Sequence, residues 1–99
     1  MSIELLEPLV GNGTGARVLL YIQNYGDGYA AGIARTFGLS KSQVMKQLDR
    51  FERGGILVQR PYGRTRVYQF NPRYALRKEL QALLERALAL TAVGPQQTR

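Results

Sequence analysis

Half of the basic side chains, which could donate hydrogen bonds to an anionic partner, lie between residues 40 and 66. This segment carries seven basic and two acidic residues, whereas residues 1 to 39 carry two and three. The formal charge of the 99-residue chain is +7, and this middle segment contributes +5 of it. A surface that served solubility alone would mix the two signs more evenly. The charge distribution therefore favours nucleic acid as the partner.

The residue types that most enzymes use for covalent catalysis are missing. The chain has no cysteine and no histidine, which removes disulfides, thiolate and imidazole metal ligands, and nucleophiles that depend on either residue. Its seven acidic side chains show no spacing typical of a carboxylate metal site or of a paired general acid and base. We therefore expect no catalytic activity, no cofactor and no bound metal.

A helix predicted between Ser40 and Gly54 must position much of the basic charge. Ser40 and Gln43 have the types and spacing of a capping box, and Gly54-Gly55 marks the helix end. An apolar stripe at i, i+4 and i+7 consists of Val44, Leu48 and Phe51. The polar face and its flank predict DNA contacts from Ser40, Lys41, Ser42, Gln43, Lys46, Gln47 and Arg50.

These polar residues have the chemistry that reading a DNA major groove requires. Lys46 can donate to guanine, and Gln43 or Gln47 can bond adenine at two points. Lys41 and Arg50 can contact phosphates. The alternative is an ordinary solvated helix face, which we would prefer for a lone helix. The turn before this helix and the hairpin after it favour DNA contact.

A basic hairpin follows the helix. Two β-prone runs, at residues 56–60 and 65–70, are joined by a predicted turn over residues 61–64. Its tip carries three arginines that could contact phosphates or a narrow minor groove, namely Arg60, Arg64 and Arg66. The alternative is an edge hairpin that uses charge to prevent aggregation. Tyr68 and Phe70 share one strand face, and we assign them to the core rather than to base stacking.

Three further helices are predicted around this unit. One covers residues 16 to 25 with Thr14 as its N-cap, and a short one covers residues 30 to 37, with Tyr29 as the start of a short strand before it. A long helix over residues 74 to 92 carries a stripe that predicts a dimer interface of Leu76, Leu80, Leu83, Leu84, Ala87 and Leu90. The alternative is that this stripe packs on the monomer's own core.

Two helices joined by the tight turn Gly38-Leu39-Ser40 and followed by a basic hairpin have the order of a winged helix-turn-helix. Residues 33–40 resemble the scaffold helix and turn of the arsenic-repressor-like (ArsR-like) regulators of bacteria and archaea. Residues 44–48 and 54–58 resemble the family's recognition helix and wing entry. The resemblance covers residues 14 to 75 and implies a DNA-binding regulator. Metal-sensing members carry cysteine, histidine or paired acidic ligands, so we expect a member that does not sense metals. Multiple-antibiotic-resistance-type (MarR-type) regulators share the motif but are usually longer.

The sequence thus predicts a mostly α fold with a small β-hairpin, a winged helix-turn-helix with a long C-terminal helix. The predicted parts are an N-terminal arm or short helix (1–13), a DNA-binding domain (14–71), a dimerisation helix (72–93) and a flexible tail (94–99). The expected function is that of a homodimeric, sequence-specific binder of double-stranded DNA, a repressor rather than an activator. The alternatives are a protein-interaction module and an RNA-binding protein. The chain shows no apolar run long enough for a membrane span and no signal peptide, so we expect a cytoplasmic protein.

Overall fold

The computed structural model describes residues 10 to 92, with side chains up to residue 90. The predicted tail and most of the predicted N-terminal arm lie outside these residues. The elements, in chain order, are α1 (Gly13–Tyr25), α2 (Ala30–Phe37), α3 (Lys41–Arg53), β1 (Leu57–Tyr62), β2 (Thr65–Phe70) and α4 (Arg77–Ala92). This order confirms the predicted mostly α fold with one antiparallel hairpin, which forms the wing. None of the described helices is long and apolar enough to cross a membrane.

Helix α1 begins three residues earlier than predicted. The N-cap is Asn12, whose Oδ1 accepts from the Gly15 N–H at 2.5 Å, so the assignment of Thr14 as the cap was wrong. Asparagine is a better N-cap than threonine, and Asn12 lies only two residues before Thr14. The helix ends as predicted at Gly26, whose N–H bonds to the Ile22 carbonyl at 2.7 Å.

The tight turn between α2 and α3 forms as the sequence predicts. Gly38 ends α2 in the left-handed conformation, with φ 68°, which glycine adopts without a steric penalty. Ser40 Oγ accepts from the Gln43 N–H at 3.1 Å, and Gln43 Oε1 accepts from the Ser40 N–H at 2.9 Å. Both halves of the predicted capping box are therefore present, and they fix the direction in which α3 leaves the turn.

The four helices and the hairpin share one core. The apolar stripe of α3 is buried as predicted, because Val44 and Leu48 are fully inaccessible and Phe51 is nearly so. Tyr68 and Phe70 of β2 also belong to the core, which confirms their assignment. Helix α3 thus turns its apolar side inward, and its polar side faces solvent.

The hairpin differs from the predicted one at its first strand. Strand β1 starts at Leu57 and continues to Tyr62, so that Pro61 pairs with Arg66 and the turn shortens to residues 63 and 64. A proline fits here because β1 is an edge strand. On the far side of β2, the predicted strand at Tyr29 reduces to one bridge, with Gly28 and Tyr68 exchanging both backbone hydrogen bonds at 2.8 and 3.0 Å.

Gly28 is needed at this bridge because the chain passes close to an aromatic ring. A Cβ atom there would lie 2.8 Å from the Tyr21 ring. The bridge ties the wing to the loop between α1 and α2.

Helix α4 begins three residues later than predicted. The Asn71 side chain accepts from the Arg73 N–H at 3.0 Å, and turns closed at Tyr74 and Arg77 precede the helix. The helix then packs on α1 through Leu84, which is fully buried, and Ala87, which is 4% exposed. These two residues were predicted for the dimer interface, but they lie in the monomer core and offer a partner no surface.

Candidate nucleic-acid interface

The polar residues predicted for DNA contact on α3 lie together on its solvent side. We call this set the α3 face, and it comprises Ser40, Lys41, Ser42, Gln43, Lys46, Gln47 and Arg50. All of them are exposed except Gln47, which is half-buried. The sequence therefore identified the exposed side of the helix correctly, and the structure adds how each group is held.

Gln47 and Arg50 are engaged with the residues that lead into α1. Gln47 Oε1 accepts from Asn12 Nδ2 at 3.3 Å and from Arg50 Nε at 3.1 Å. Arg50 Nη2 also reaches the Val10 carbonyl at 3.4 Å, and its guanidinium lies 4.8 Å from the centroid of the Phe51 ring. These contacts hold Arg50 along the protein surface, so it is less available to a phosphate than a free arginine would be.

Lys41 and Lys46 are the free cations of the α3 face. Within the described part of the chain, neither ammonium group has a hydrogen-bond or ion-pair partner closer than 4 Å. Ser40 and Ser42 share one hydrogen bond of 3.3 Å between their hydroxyls. The two lysines can therefore meet an external anion without breaking a protein contact.

The wing arginines divide into one paired and two unpaired groups. Arg60 Nη2 lies 3.2 Å from Asp27 Oδ2, and Arg60 Nε donates to Gln69 Oε1 at 3.3 Å. Arg64 and Arg66 are exposed near the tip, and neither has such a partner among residues 10 to 92. Of the three predicted contacts, Arg60 is thus committed to the body of the protein, where it helps to fix the wing.

An open cleft separates the wing tip from the start of α3. Its volume is about 410 Å³, and its walls include Tyr29, Ala30, Lys41, Met45, Arg64 and Arg66. The cleft brings Lys41 and the two tip arginines around one concave surface, although they are distant in sequence. This arrangement concentrates positive potential on the side of the molecule that presents α3.

The acidic residues of α3 lie on the flank toward the wing. Glu52 accepts two hydrogen bonds from Gln59 Nε2, at 2.9 and 3.0 Å, which tie the helix end to β1.

Burial raises the pKa of the Tyr68 hydroxyl above its ordinary value of 10.0, and the nearby charges of Glu52 and Asp49 raise it further. This hydroxyl has no hydrogen-bond partner among the described residues.

Sequence reasoning missed Asn12 and Asp27, the two residues that restrain predicted contacts. Asn12 could have been found, because it lies two residues before Thr14 in the glycine-rich run where an N-cap was expected. The pairing of Asp27 with Arg60 spans 33 residues, and no local pattern signals it. Among the described residues, no three acidic side chains form a group that could hold a metal ion.

Helix α4 carries a second surface of a different kind. Leu83 and Leu90 of the helix, together with Leu76 directly before its first residue, follow each other at intervals of seven residues. Leu76 is 57% exposed, Leu83 42% and Leu90 44%. Leu80 is partly buried against the core, as is Leu88. The apolar arc of the helix is therefore wider than its contact with α1, and its outer edge is left in solvent.

The chain matches no family model and no curated protein. Its fold is similar to a crystal structure described as a transcriptional regulator of the MarR family from Silicibacter pomeroyi, with a TM-score of 0.61 and 14% sequence identity. The match covers 98% of this chain and 70% of that chain. At this identity the likeness establishes the winged helix-turn-helix fold and leaves the function open. The resemblance to the ArsR-like subfamily stays a prediction.

Proposed function

We propose that this protein binds double-stranded DNA as a homodimer and regulates transcription, with no catalytic role. Helix α3 enters the major groove, and the wing tip contacts the backbone or the minor groove beside it. The observation that carries this proposal is the set of exposed, unpaired cations, Lys41, Lys46, Arg64 and Arg66, around the second helix of a helix-turn-helix. Each phosphate that such a group neutralises releases bound counterions, which favours association.

The outer leucines of α4 support the homodimer. Each large aliphatic side chain left in water rather than buried costs about 1.5 to 3 kcal/mol. Two such leucines lie on one edge of this helix, and a third, Leu76, directly precedes it. A second copy covering them would carry a second α3, and two recognition helices about 34 Å apart would read a pseudo-palindromic site. Leu76, Leu83 and Leu90 form the interface that we propose, with the partly buried Leu80 at its border.

Repression is the simpler output. Residues 14 to 71 provide the DNA-binding unit, residues 72 to 93 the dimer contact, and a dimer seated on a promoter can exclude polymerase or another regulator. We place the protein in the cytoplasm and nearer to the non-metal-sensing ArsR-like regulators than to other winged helices. The sequence segments quoted above support that placement.

Binding to a random-sequence duplex over a salt series tests the proposal. We expect tight binding at low salt and a steep loss of affinity as salt rises, since a dimer should make about 6 to 10 phosphate contacts. The variant with Arg64→Ala and Arg66→Ala should bind more weakly and with a shallower salt dependence. The matched control, Arg73→Ala with Lys78→Ala, removes the same charge from exposed positions near α4 and should retain the original slope. No retention of duplex DNA at low salt would contradict the proposal and favour the protein-interaction alternative.

A further inference from the structure

Both glutamines of the α3 face direct their amide oxygens toward donors of this chain. Gln47 Oε1 accepts two hydrogen bonds, from Asn12 Nδ2 and Arg50 Nε, which use both of its lone pairs. Gln43 Oε1 accepts from the Ser40 backbone N–H as part of the capping box. Within the described residues, the Nε2 group of each side chain has no partner.

The hydrogen-bond network fixes the orientation of these amides. Asn12 Oδ1 is committed to the Gly15 N–H as the cap of α1, so the group that Asn12 turns toward Gln47 is its NH₂. The Arg50 guanidinium and the Ser40 backbone N–H can donate hydrogen bonds but cannot accept them. Each glutamine therefore meets its neighbour with oxygen, because a reversed amide would place one N–H against another.

The groups left on the outer side of α3 are consequently donors. Lys46 lies between the two glutamines in sequence and adds an ammonium group, which can donate hydrogen bonds but cannot accept them. A glutamine that bonds adenine at two points must accept from N6 and donate to N7. Gln47 can make only the second of these bonds, because both lone pairs of its oxygen are used. Gln43 keeps one free lone pair, but its oxygen is turned toward the Ser40 N–H, which leaves its NH₂ group as the outward donor.

Guanine is the base that matches a row of donors. In the major groove it presents two neighbouring acceptors, N7 and O6, whereas cytosine presents only a donor and adenine presents one of each. We propose that Gln43, Lys46 and Gln47 act as specificity-determining donors that select guanine in each half-site. This inference rests on the proposed function and replaces, for Gln47, the expectation that the side chain bonds adenine at two points.

Two substitutions replace an outward NH₂ donor by an acceptor and keep the hydrogen bonds that hold the side chain in place. In Gln43→Glu, one carboxylate oxygen keeps the capping-box bond and the other becomes an outward acceptor. Gln47→Glu does the same opposite Asn12 and Arg50. Gln69→Glu is the matched control, since it makes the same change of charge on the wing and keeps an oxygen for Arg60.

The test is selection of bound sequences from a random duplex pool by the unaltered chain and by each variant. We expect guanine at the selected positions, and a loss of about 5- to 150-fold in affinity when 7-deazaguanine removes N7 there. Gln43→Glu and Gln47→Glu should each shift one position per half-site from guanine toward cytosine, while Gln69→Glu leaves the selected sequence unchanged.

The outcomes separate this inference from the proposed function. A chain that selects adenine or cytosine at these positions, or glutamate variants that keep the original preference, would overturn the donor assignment while DNA binding stands. A chain that retains no duplex at all would overturn both. Circular dichroism of each variant shows whether it is folded. The 7-deazaguanine comparison uses the unaltered protein and shows whether guanine N7 accepts a hydrogen bond, and an unchanged affinity there would overturn the inference even where a variant does not fold.

Discussion

Helices α3 and α4 are both amphipathic, but they leave different groups in solvent. Helix α3 buries its whole apolar stripe and exposes cations and amides, whereas α4 buries Leu84 and leaves its neighbour Leu83 42% exposed. A polar face with unpaired charges suits a charged polymer, and an apolar edge suits a second protein surface. In the proposed function, α3 therefore serves recognition and α4 serves assembly.

Leu83 and Leu84 are adjacent in α4 but differ in burial, so substitutions at the two positions should differ in their effect on stability. Leu84→Ala should lower the free energy of unfolding by about 2 to 5 kcal/mol, because it leaves a cavity against α1. Leu83→Ala should change the stability of the dilute monomer by no more than about 0.5 kcal/mol, as substitutions at exposed positions do. Urea denaturation at low protein concentration measures both. Equal losses for the two variants would show that the outer edge belongs to the monomer core.

The two exposed leucines of α4, Leu83 and Leu90, test assembly separately from folding. Light scattering of the unaltered chain should show a dimer, and Leu83→Ala combined with Leu90→Ala should give a folded monomer that still binds duplex DNA weakly. A chain that stays monomeric at tens of micromolar, roughly the range of a weak dimer, would contradict the role that we propose for this edge.

The buried Tyr68 hydroxyl has no hydrogen-bond partner among the described residues, so we expect its removal to stabilise the protein. Tyr68→Phe should raise the free energy of unfolding by about 1 kcal/mol, since a buried hydroxyl without a partner pays for desolvation and gains no bond. Tyr62→Phe, at a position 72% exposed on the wing, should leave stability unchanged.

The pH dependence of stability provides a second readout for Tyr68. Its pKa is raised in the folded chain, so the unfolded chain loses this proton first as the pH rises above 10.0. The unaltered protein should therefore lose stability from about pH 10 upward, and Tyr68→Phe should lose less over that range. Identical alkaline profiles for the two proteins would contradict the buried, neutral hydroxyl.

Asn12 both caps α1 and holds Gln47 of the α3 face, so its substitution should change stability and sequence preference together. Asn12→Ala should cost about 0.5 to 2 kcal/mol through loss of the cap, and Asn12→Ser should restore most of it. Neither side chain can hold Gln47 as asparagine does, so both variants should accept adenine more readily than the unaltered chain. Thermal unfolding and pool selection measure the two effects separately. A restored sequence preference in Asn12→Ser would show that Asn12 acts only as a cap.

Most of the fold follows from local signals in the sequence. The glycine at position 38, the capping box at Ser40 and the stripe of α3 are set by neighbours within a few residues, and each was predicted. The boundaries that were wrong involve competing local choices, such as Asn12 against Thr14 and the late start of α4 at Arg77.

The parts of the site that could not be predicted depend on contacts between distant segments. Arg60 was grouped with Arg64 and Arg66 because all three are close in sequence, and only the folded chain places Asp27 beside the first of them. In the same way, Leu83 and Leu84 belong to one periodic stripe, and the position of α1 decides which of them is buried.

Nuclear magnetic resonance of this 11.1 kDa chain can locate the DNA-binding surface residue by residue. We predict that adding duplex DNA to ¹⁵N-labelled protein shifts the side-chain amide signals of Gln43 and Gln47 and the backbone signals around Lys46, Arg64 and Arg66. The signals of Leu83 and Leu90 on α4 should stay in place. Shifts concentrated on α4, with the α3 face unaffected, would contradict the account.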